Sequence, residues 1–295
     1  QITFRFLKAR KKDGFLNIIS IFSFIGISLG VAVLIIVMSV MNGFRTELIN
    51  KIVGFNPHIT VKPYEKPINI NEIRNNNLKL ISNNLILSNS SEAIILSEQN
   101  SKGILLRGYL KNDFSKLDLI NNKNFKGQNK NLTKNHISIG RELSFNLDLK
   151  IGDNITIMSS SGIETIIGNL PKQKKFIVTS IFDSGLADFD NNIVFLNLNT
   201  LEEFSNLSIN DRNLEIYLKN PQKIDNQKEI VENIFSNELV FTWADMNKSL
   251  FSALKVERNV MFIILSLIII VAAFNIISGL TILVKNKTKD IAILK

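Results

Sequence analysis

The sequence predicts an α+β domain of about 215 residues carried between two transmembrane α-helices. Three observations predict it. Residues 18–41 hold no charge and are dominated by Ile, Val, Leu, Phe and Met, and residues 260–284 repeat that composition. Each stretch reaches the roughly 20 apolar residues a helix needs to cross about 30 Å of hydrocarbon. The residues between them alternate short apolar runs with amphipathic, helix-spaced segments, the mixture expected of an α+β fold.

The charge supports the same topology. The 295 residues carry a net charge of +9. Arg5, Lys8, Arg10, Lys11 and Lys12 precede the first span, and Lys285, Lys287, Lys289 and Lys295 follow the second. Only Asp13 and Asp290 oppose them, so the region between the spans is close to neutral. Basic residues beside apolar spans mark the cytoplasmic side. Both termini of this chain are therefore expected inside, with the domain outside. A nearly neutral domain also argues against nucleic acid as a partner. The first span is too long for the apolar part of a signal peptide, and no small-residue cleavage site follows it. Cysteine is absent, which decides nothing about compartment in a domain of this size.

In chain order, residues 1–17 place Phe4 and Leu7 against Lys8 and Lys11 at helical spacing, a basic amphipathic segment suited to the inner headgroup layer. The first span, 18–41, contains Gly26 and Gly30, a GxxxG face on which another helix can pack closely. Asn42-Gly43 marks its exit from the bilayer. Residues 44–53 keep the helical pattern and predict a stalk that ends at Gly54, Asn56 and Pro57. The external domain, stalks included, is expected over 42–259. Within it, 58–62, 93–97 and 103–108 read as strands, 67–87 as one helix, and 121–135 as a polar surface loop. A strand at 136–139, a helix at 141–147, a turn at 150–153 and a strand at 154–158 follow. A hairpin with Gly168 and Pro171 near its tip then leads into a strand at 176–182. Further strands are expected at 192–196, 214–218 and 239–242, with helices at 200–207 and 225–235. A stalk over 246–258 enters the second span, where Asn275 is expected to hydrogen-bond a neighbouring helix at about 0.6–2 kcal/mol. Residues 285–295 form a charged start followed by apolar IAIL, a pattern that predicts continuation beyond residue 295.

The residues that would carry catalysis are not there in any recognisable frame. The sequence has no GxxxxGK[ST] loop for nucleotide phosphates and no GxSxG around Ser160 and Ser161. Its two histidines, His58 and His136, lie far apart and without cysteines, too few donors for a zinc site. His58 reads as a residue leading into a strand. Asp183, Asp188 and Asp190 lack the spacing and closing Glu of a calcium loop and read as a solvated turn. No catalytic residue, cofactor or metal is expected. Binding, transmission of movement, or both remain, and a two-span sensor is compatible with the layout.

Two segments narrow the choice. Residues 27–61, with SVMNGF and FNPHI, and residues 253–295, with VERNVM, VAAFNI and KDIAIL, resemble the transmembrane subunits of the lipoprotein-releasing (Lol) ABC transporters of Gram-negative bacteria, within the wider MacB-like permease superfamily. IGREL, LKIGD and GNLPKQKKFIVTSIFDSG in the middle are similar to them too. The resemblance implies a MacB-like α+β periplasmic domain of two lobes, with two of an expected four spans present. It implies a multi-pass permease of the bacterial inner membrane that extracts outer-membrane-directed lipoproteins and hands them to a periplasmic carrier. The expected partners are a cytoplasmic ABC ATPase, a second permease copy or paralogue, the carrier, the lipoprotein substrates and membrane lipids. Residues 163–175 are similar to a carrier-binding hook, with Ile163, Gly168, Pro171, Lys172, Lys174 and Lys175 as its candidate residues. Lys289, Asp290, Ile291, Ala292, Ile293 and Leu294 resemble the start of an ATPase-coupling segment. Gly26, Gly30, Met38, Met41, Met261 and Asn275 are candidates for helix packing or for lining a lipid cavity. Other mechanotransmitting permeases, for efflux or for activating cell-wall hydrolases, share this layout.

Overall fold

The computed structural model describes residues 14–97, 100–121, 123–127, 132–165, 168–221 and 224–293. Most of the expected amphipathic segment 1–17 lies outside them. Two compact units make up the chain: the spans, within Gln1–Glu47 and Ser249–Lys295, and the domain, Leu48–Lys248.

The first helix, α1 (Gly14–Phe55), runs unbroken through Asn42 and Gly43. The elements that follow are β1 (Ile59–Lys62), α2 (Ile70–Ile73), α3 (Asn76–Ile81), β2 (Ser82–Leu96), β3 (Ser101–Tyr109), α4 (Lys111–Phe114) and α5 (Asp118–Asn121). Next come β4 (His136–Gly140), α6 (Arg141–Asn146), β5 (Asn154–Thr165), β6 (Gly168–Phe182), α7 (Ala187–Asn192), β7 (Ile193–Asn197) and α8 (Leu198–Ser205). The domain closes with β8 (Asn213–Leu218), α9 (Ile224–Ile234), β9 (Leu239–Thr242) and α10 (Trp243–Met246), and α11 (Lys248–Ile293) carries the second span.

The strands form one sheet in two parts. Strands β3, β7, β4, β6, β5 and β2 pair in that order, and β2 also pairs with β3, so these six close into a barrel. Closure leaves the ring no free edge. Every barrel strand turns two alternate residues inward: Ala93 and Ile95, Ile104 and Leu106, Ile137 and Ile139, Ile155 and Ile157, Phe176 and Val178, Val194 and Leu196. That period-2 alternation is what fills a small barrel with side chains. The second part, β8-β1-β9, extends from β2 and packs Ile59, Val61, Leu214, Ile216 and Leu218 against Leu78 of α3 and Val231 of α9. The two-lobed α+β architecture is thus a barrel and a half-covered sheet that share a strand. β2 is 15 residues long: its first half pairs with β8 and its second with β3 and β5.

Four local expectations change. Residues 82–87 are not the end of a helix; α3 stops at Ile81, and Ser82 begins β2. Ser82 to Leu87 find their backbone partners on β8, more than a hundred residues away, across a register shift between Ser82 and Asn84. The segment expected as a polar surface loop is partly internal: Leu132 is buried and Lys126 bridges to Ile181. Strand β5 extends seven residues past the expected end, because it pairs with β6 as far as Thr165–Gly168. The acidic turn is not solvated either: Asp183 and Asp190 are buried. Arg141 pairs with Asp183, and the Asp190 carboxylate accepts the Ser184 N–H at 3.0 and 3.2 Å. Burial pushes the Asp190 carboxyl above the usual range, although its bonds to Ser184 oppose that shift.

Candidate functional site

Three places can carry function. The first is the hairpin of β5 and β6. Ser159 is the last β5 residue paired with β2; beyond it, β5 pairs among the described residues only with β6, and Gly162–Pro171 and Ile163–Leu170 continue the ladder outward. Pro171, which has no N–H to donate, sits opposite Gly162, where the register shifts. The root of this hairpin is tied to the C-terminus of α8. Lys172 Nζ donates to the Glu203 carbonyl at 3.2 Å and to Asn206 Oδ1, Ser161 Oγ donates to the Ser205 carbonyl at 2.7 Å, and Asn206 Nδ2 donates to the Gly162 carbonyl at 3.4 Å. A cation at a helix C-terminus also meets the negative end of the helix dipole. Asn206 caps α8 with φ of 54°, a left-handed conformation asparagine tolerates. The three lysines therefore differ. Lys172 is a tether, Lys174 lies 5.5 Å from the centre of the Phe176 ring, and Lys175 is exposed on the opposite side of the strand. Leu170 is also exposed. The Ile163 and Gly168 side positions lie outside the described residues.

The second place is the foot of the α1 stalk, where helix meets sheet. Phe55 buries its ring against Phe189, centroids 4.1 Å apart. The next residue, Asn56, accepts from Arg107 Nη1 at 3.3 Å through Oδ1. Arg107 also donates to Glu215 Oε1 at 3.0 Å, and the Glu215 carboxylate accepts from Ser88 at 2.6 Å, Tyr109 at 3.0 Å and Tyr217 at 3.0 Å. Four donors on three strands thus converge on one buried carboxylate. Burial pushes both phenols well above their ordinary range. Burial alone would weaken the Arg107 charge, but Tyr109 and Glu215 beside it hold its pKa above the usual value.

His58 lies alongside. It is buried; its Nδ1 accepts the Leu218 N–H at 2.7 Å, and its Nε2 lies 3.1 Å from the Val53 carbonyl of the last stalk turns. An acceptor at Nδ1 places the proton on Nε2, so Nε2–H donates to Val53. Burial lowers the imidazole pKa, against the weaker opposing pull of the Val53 bond and Asp118, and keeps this neutral tautomer.

The third place is the pair of spans. Both helices are long and apolar enough to cross a membrane. Leu34, Met38, Met41 and Arg45 on α1, and Leu250, Leu254, Glu257, Met261 and Leu265 on α11, are their more covered positions, spaced three or four apart. Positions at that spacing recur along one face of a helix. Met38, Met41 and Met261 line a small hollow together with Arg45, Glu257 and Arg258. The remaining faces are open: Phe24, Leu29, Phe262 and Phe274 are each more than 60% exposed. Each such side chain left in water would forfeit about 1.5–3 kcal/mol relative to burial, so these faces require lipid or other helices. Among the described residues, nothing approaches within 4 Å of where a Cβ on Gly26 or Gly30 would stand. The side chains of Asn275, Lys289, Asp290, Ile291, Ala292 and Ile293 lie outside the described residues, as does all of Leu294.

The profile of the MacB-like periplasmic core domain matches residues 20–234. The lipoprotein-releasing system transmembrane protein LolC of Neisseria meningitidis serogroup B is 30% identical over 308 residues, covering 100% of this chain and 72% of that protein. LolE of Haemophilus influenzae is 30% identical over 305 residues, covering 100% of this chain and 73% of its own length. LolC of Xylella fastidiosa strain Temecula1 is 29% identical, with 100% and 72% covered.

The chain belongs to the lipoprotein-releasing transmembrane protein family. Its domain is of the MacB-like periplasmic type, and the chain is a transport subunit set in a membrane. Sequence reasoning on the family picked out the hairpin and the span methionines, but it missed the stalk foot. The available signal was a charge set inside each of two apolar runs, Arg107 in GILLRGY and Glu215 in NLEIYL. A lone charge in a strand buried on both faces must have a partner.

Proposed function

We propose that this chain is the membrane subunit of an ABC transporter that extracts outer-membrane-directed lipoproteins from the inner membrane and passes them to a periplasmic carrier. The observation that carries the reading is the match, over the whole chain, to lipoprotein-releasing transmembrane proteins. The physical layout suits it. Chargeless helix faces can receive acyl chains, and each CH₂ drawn from the bilayer costs about 0.8 kcal/mol. Extraction of a lipidated protein therefore needs work from outside, supplied by a separate cytoplasmic ATPase. The region 289–294 is the part of this chain proposed to touch that ATPase, and a second permease copy or paralogue completes the pair. The termini of the chain lie in the cytoplasm, and the permease itself catalyses no reaction.

Depletion of the full-length protein is expected to leave outer-membrane lipoproteins in the inner-membrane fraction, and a small ATPase is expected to co-purify with it. Normal lipoprotein sorting after depletion would instead favour another mechanotransmitting permease.

The β5–β6 hairpin is the proposed carrier-binding hook. Its exposed cation, Lys175, is the one to test. Lys175→Glu is expected to weaken carrier binding about fivefold, less so at high salt, with an unchanged melting temperature. Binding that is unchanged at low salt would remove the hook assignment and leave the permease reading in place.

A further inference from the structure

We infer that His58 is a positioning residue that locks the α1 stalk, the sheet and the lead-in to α11 into one joint, so that movement of the spans reaches the outer domain without slack. The inference rests on the proposed transport role.

Four hydrogen bonds meet at this one residue. Its backbone N–H donates to the Ile216 carbonyl at 3.0 Å, and its carbonyl accepts the Trp243 N–H at 3.0 Å. Its ring accepts from Leu218 and donates to Val53. Val53 belongs to the last turns of α1, Ile216 and Leu218 to β8, and Trp243 to the first residue of α10, which precedes α11 by a single residue. The imidazole therefore ties the end of one span-bearing helix to β8, and the backbone carbonyl of the same residue ties it to the start of α10, which leads into α11. Val53 offers a carbonyl near the helix end, where backbone acceptors lack helical partners, so the bond satisfies a group the helix itself leaves open.

Beside that bond the His58 ring meets the Tyr217 ring edge-on, centroids 6.0 Å apart. A cavity of about 250 Å³ opens beside it, lined by Asn50, Val53, His58, Asn84, Asp118 and Tyr217. Phe55 is buried in the cluster that also holds Tyr217, and Ile52 is buried as well. On the cavity side the Nε2–H bond joins the stalk turn to the residue that leads into β1. The charged and titratable groups around it are Asp118, Lys116, which is paired with Asp113 at 2.6 Å, and the Tyr217 phenol.

The ring can be dissected with two amides. Asparagine places its carbonyl oxygen near the Nδ1 position and keeps the Leu218 bond, but it is too short for Val53. Glutamine reaches toward Val53 with its NH₂ and leaves the Leu218 N–H without that acceptor. The test uses the complete permease complex with its ATPase, in proteoliposomes containing a lipidated reporter lipoprotein and purified carrier. Reporter released per ATP hydrolysed is measured alongside the melting temperature. His58→Asn is expected to lower release per ATP at least about fivefold while ATP hydrolysis continues, and His58→Gln is expected to retain at least about half of it. A wild-type ratio in His58→Asn, or an equal fall in His58→Gln, would overturn the inference.

Should either variant fail to fold, amide exchange in the wild-type complex decides. The Leu218 and Trp243 amides are expected to stay as protected during ATP turnover as at rest. Selective loss of their protection during turnover would show that the joint opens, which the inference forbids. A wild-type complex that releases no lipoprotein at all would defeat the transport reading before any variant is compared.

Discussion

Replacing Gly140 with alanine is expected to destabilise the outer domain by about 3 kcal/mol or more, a large part of the roughly 5–15 kcal/mol that holds a domain folded. A Cβ there would lie 2.0 Å from the Asp190 carbonyl oxygen and 2.5 Å from its carbonyl carbon. These are backbone atoms, and neither side can yield. Gly140 ends β4 and pairs with Phe182 of β6, while Asp190 is fully buried in α7 with its carboxylate on the Ser184 N–H. Any shift must therefore pull β4 out of the barrel register or drive α7 outward. Thermal unfolding of the purified protein followed by near-UV circular dichroism measures the loss. Gly103→Ala is the control, because nothing stands within 4 Å of its added methyl. It is expected to change stability by no more than about 0.5 kcal/mol. Equal losses in both variants would mean that the close approach of β4 and α7 is not what Gly140 protects.

The Glu215 carboxylate is the second site of large effect. Glu215→Ala leaves the Arg107 guanidinium buried with its opposite charge removed, and is expected to cost about 3–5 kcal/mol. Glu215→Gln is little better. It offers one acceptor oxygen where the carboxylate serves Ser88, Arg107, Tyr109 and Tyr217, and it turns an NH₂ toward groups that are already donors. The double variant Arg107→Met with Glu215→Leu is expected to recover more than half of the loss, because no buried charge is left without a partner. Denaturant titration of the wild type, Arg107→Met, Glu215→Leu and the double variant closes the cycle. A double variant that loses the sum of the two single losses would show that the groups act independently.

The helical and membrane layers of this fold were legible because their signals are local. Uninterrupted apolar runs set α1 and α11, and short apolar runs between turn signals located most strands to within two residues. Partner choice was not legible. That β3 lies beside β7 in parallel while also pairing with β2, and so closes a ring, depends on contacts remote in sequence. The same remoteness explains residues 82–87. Asn83 and Asn84 weaken any strand pattern there, and only β8 makes the segment a strand. Asp183 and Asp190 misled for a different reason. Three aspartates within eight residues look solvent-bound until Arg141, forty-two residues earlier, is placed against them. The residue pattern located the hairpin, and the family resemblance gave its lysines one role. The tether of Lys172 to α8 separates them.

Strand β2 has a further consequence. Ser88 stands opposite both Tyr109 of β3 and Asn213 of β8, so a single residue belongs to the barrel and to the open sheet at once. The two lobes are therefore not separable parts. A chimera that grafts one lobe from a paralogue would have to be cut inside this shared strand and would lose both ladders, whereas seams placed in the stalks would transplant the whole head intact.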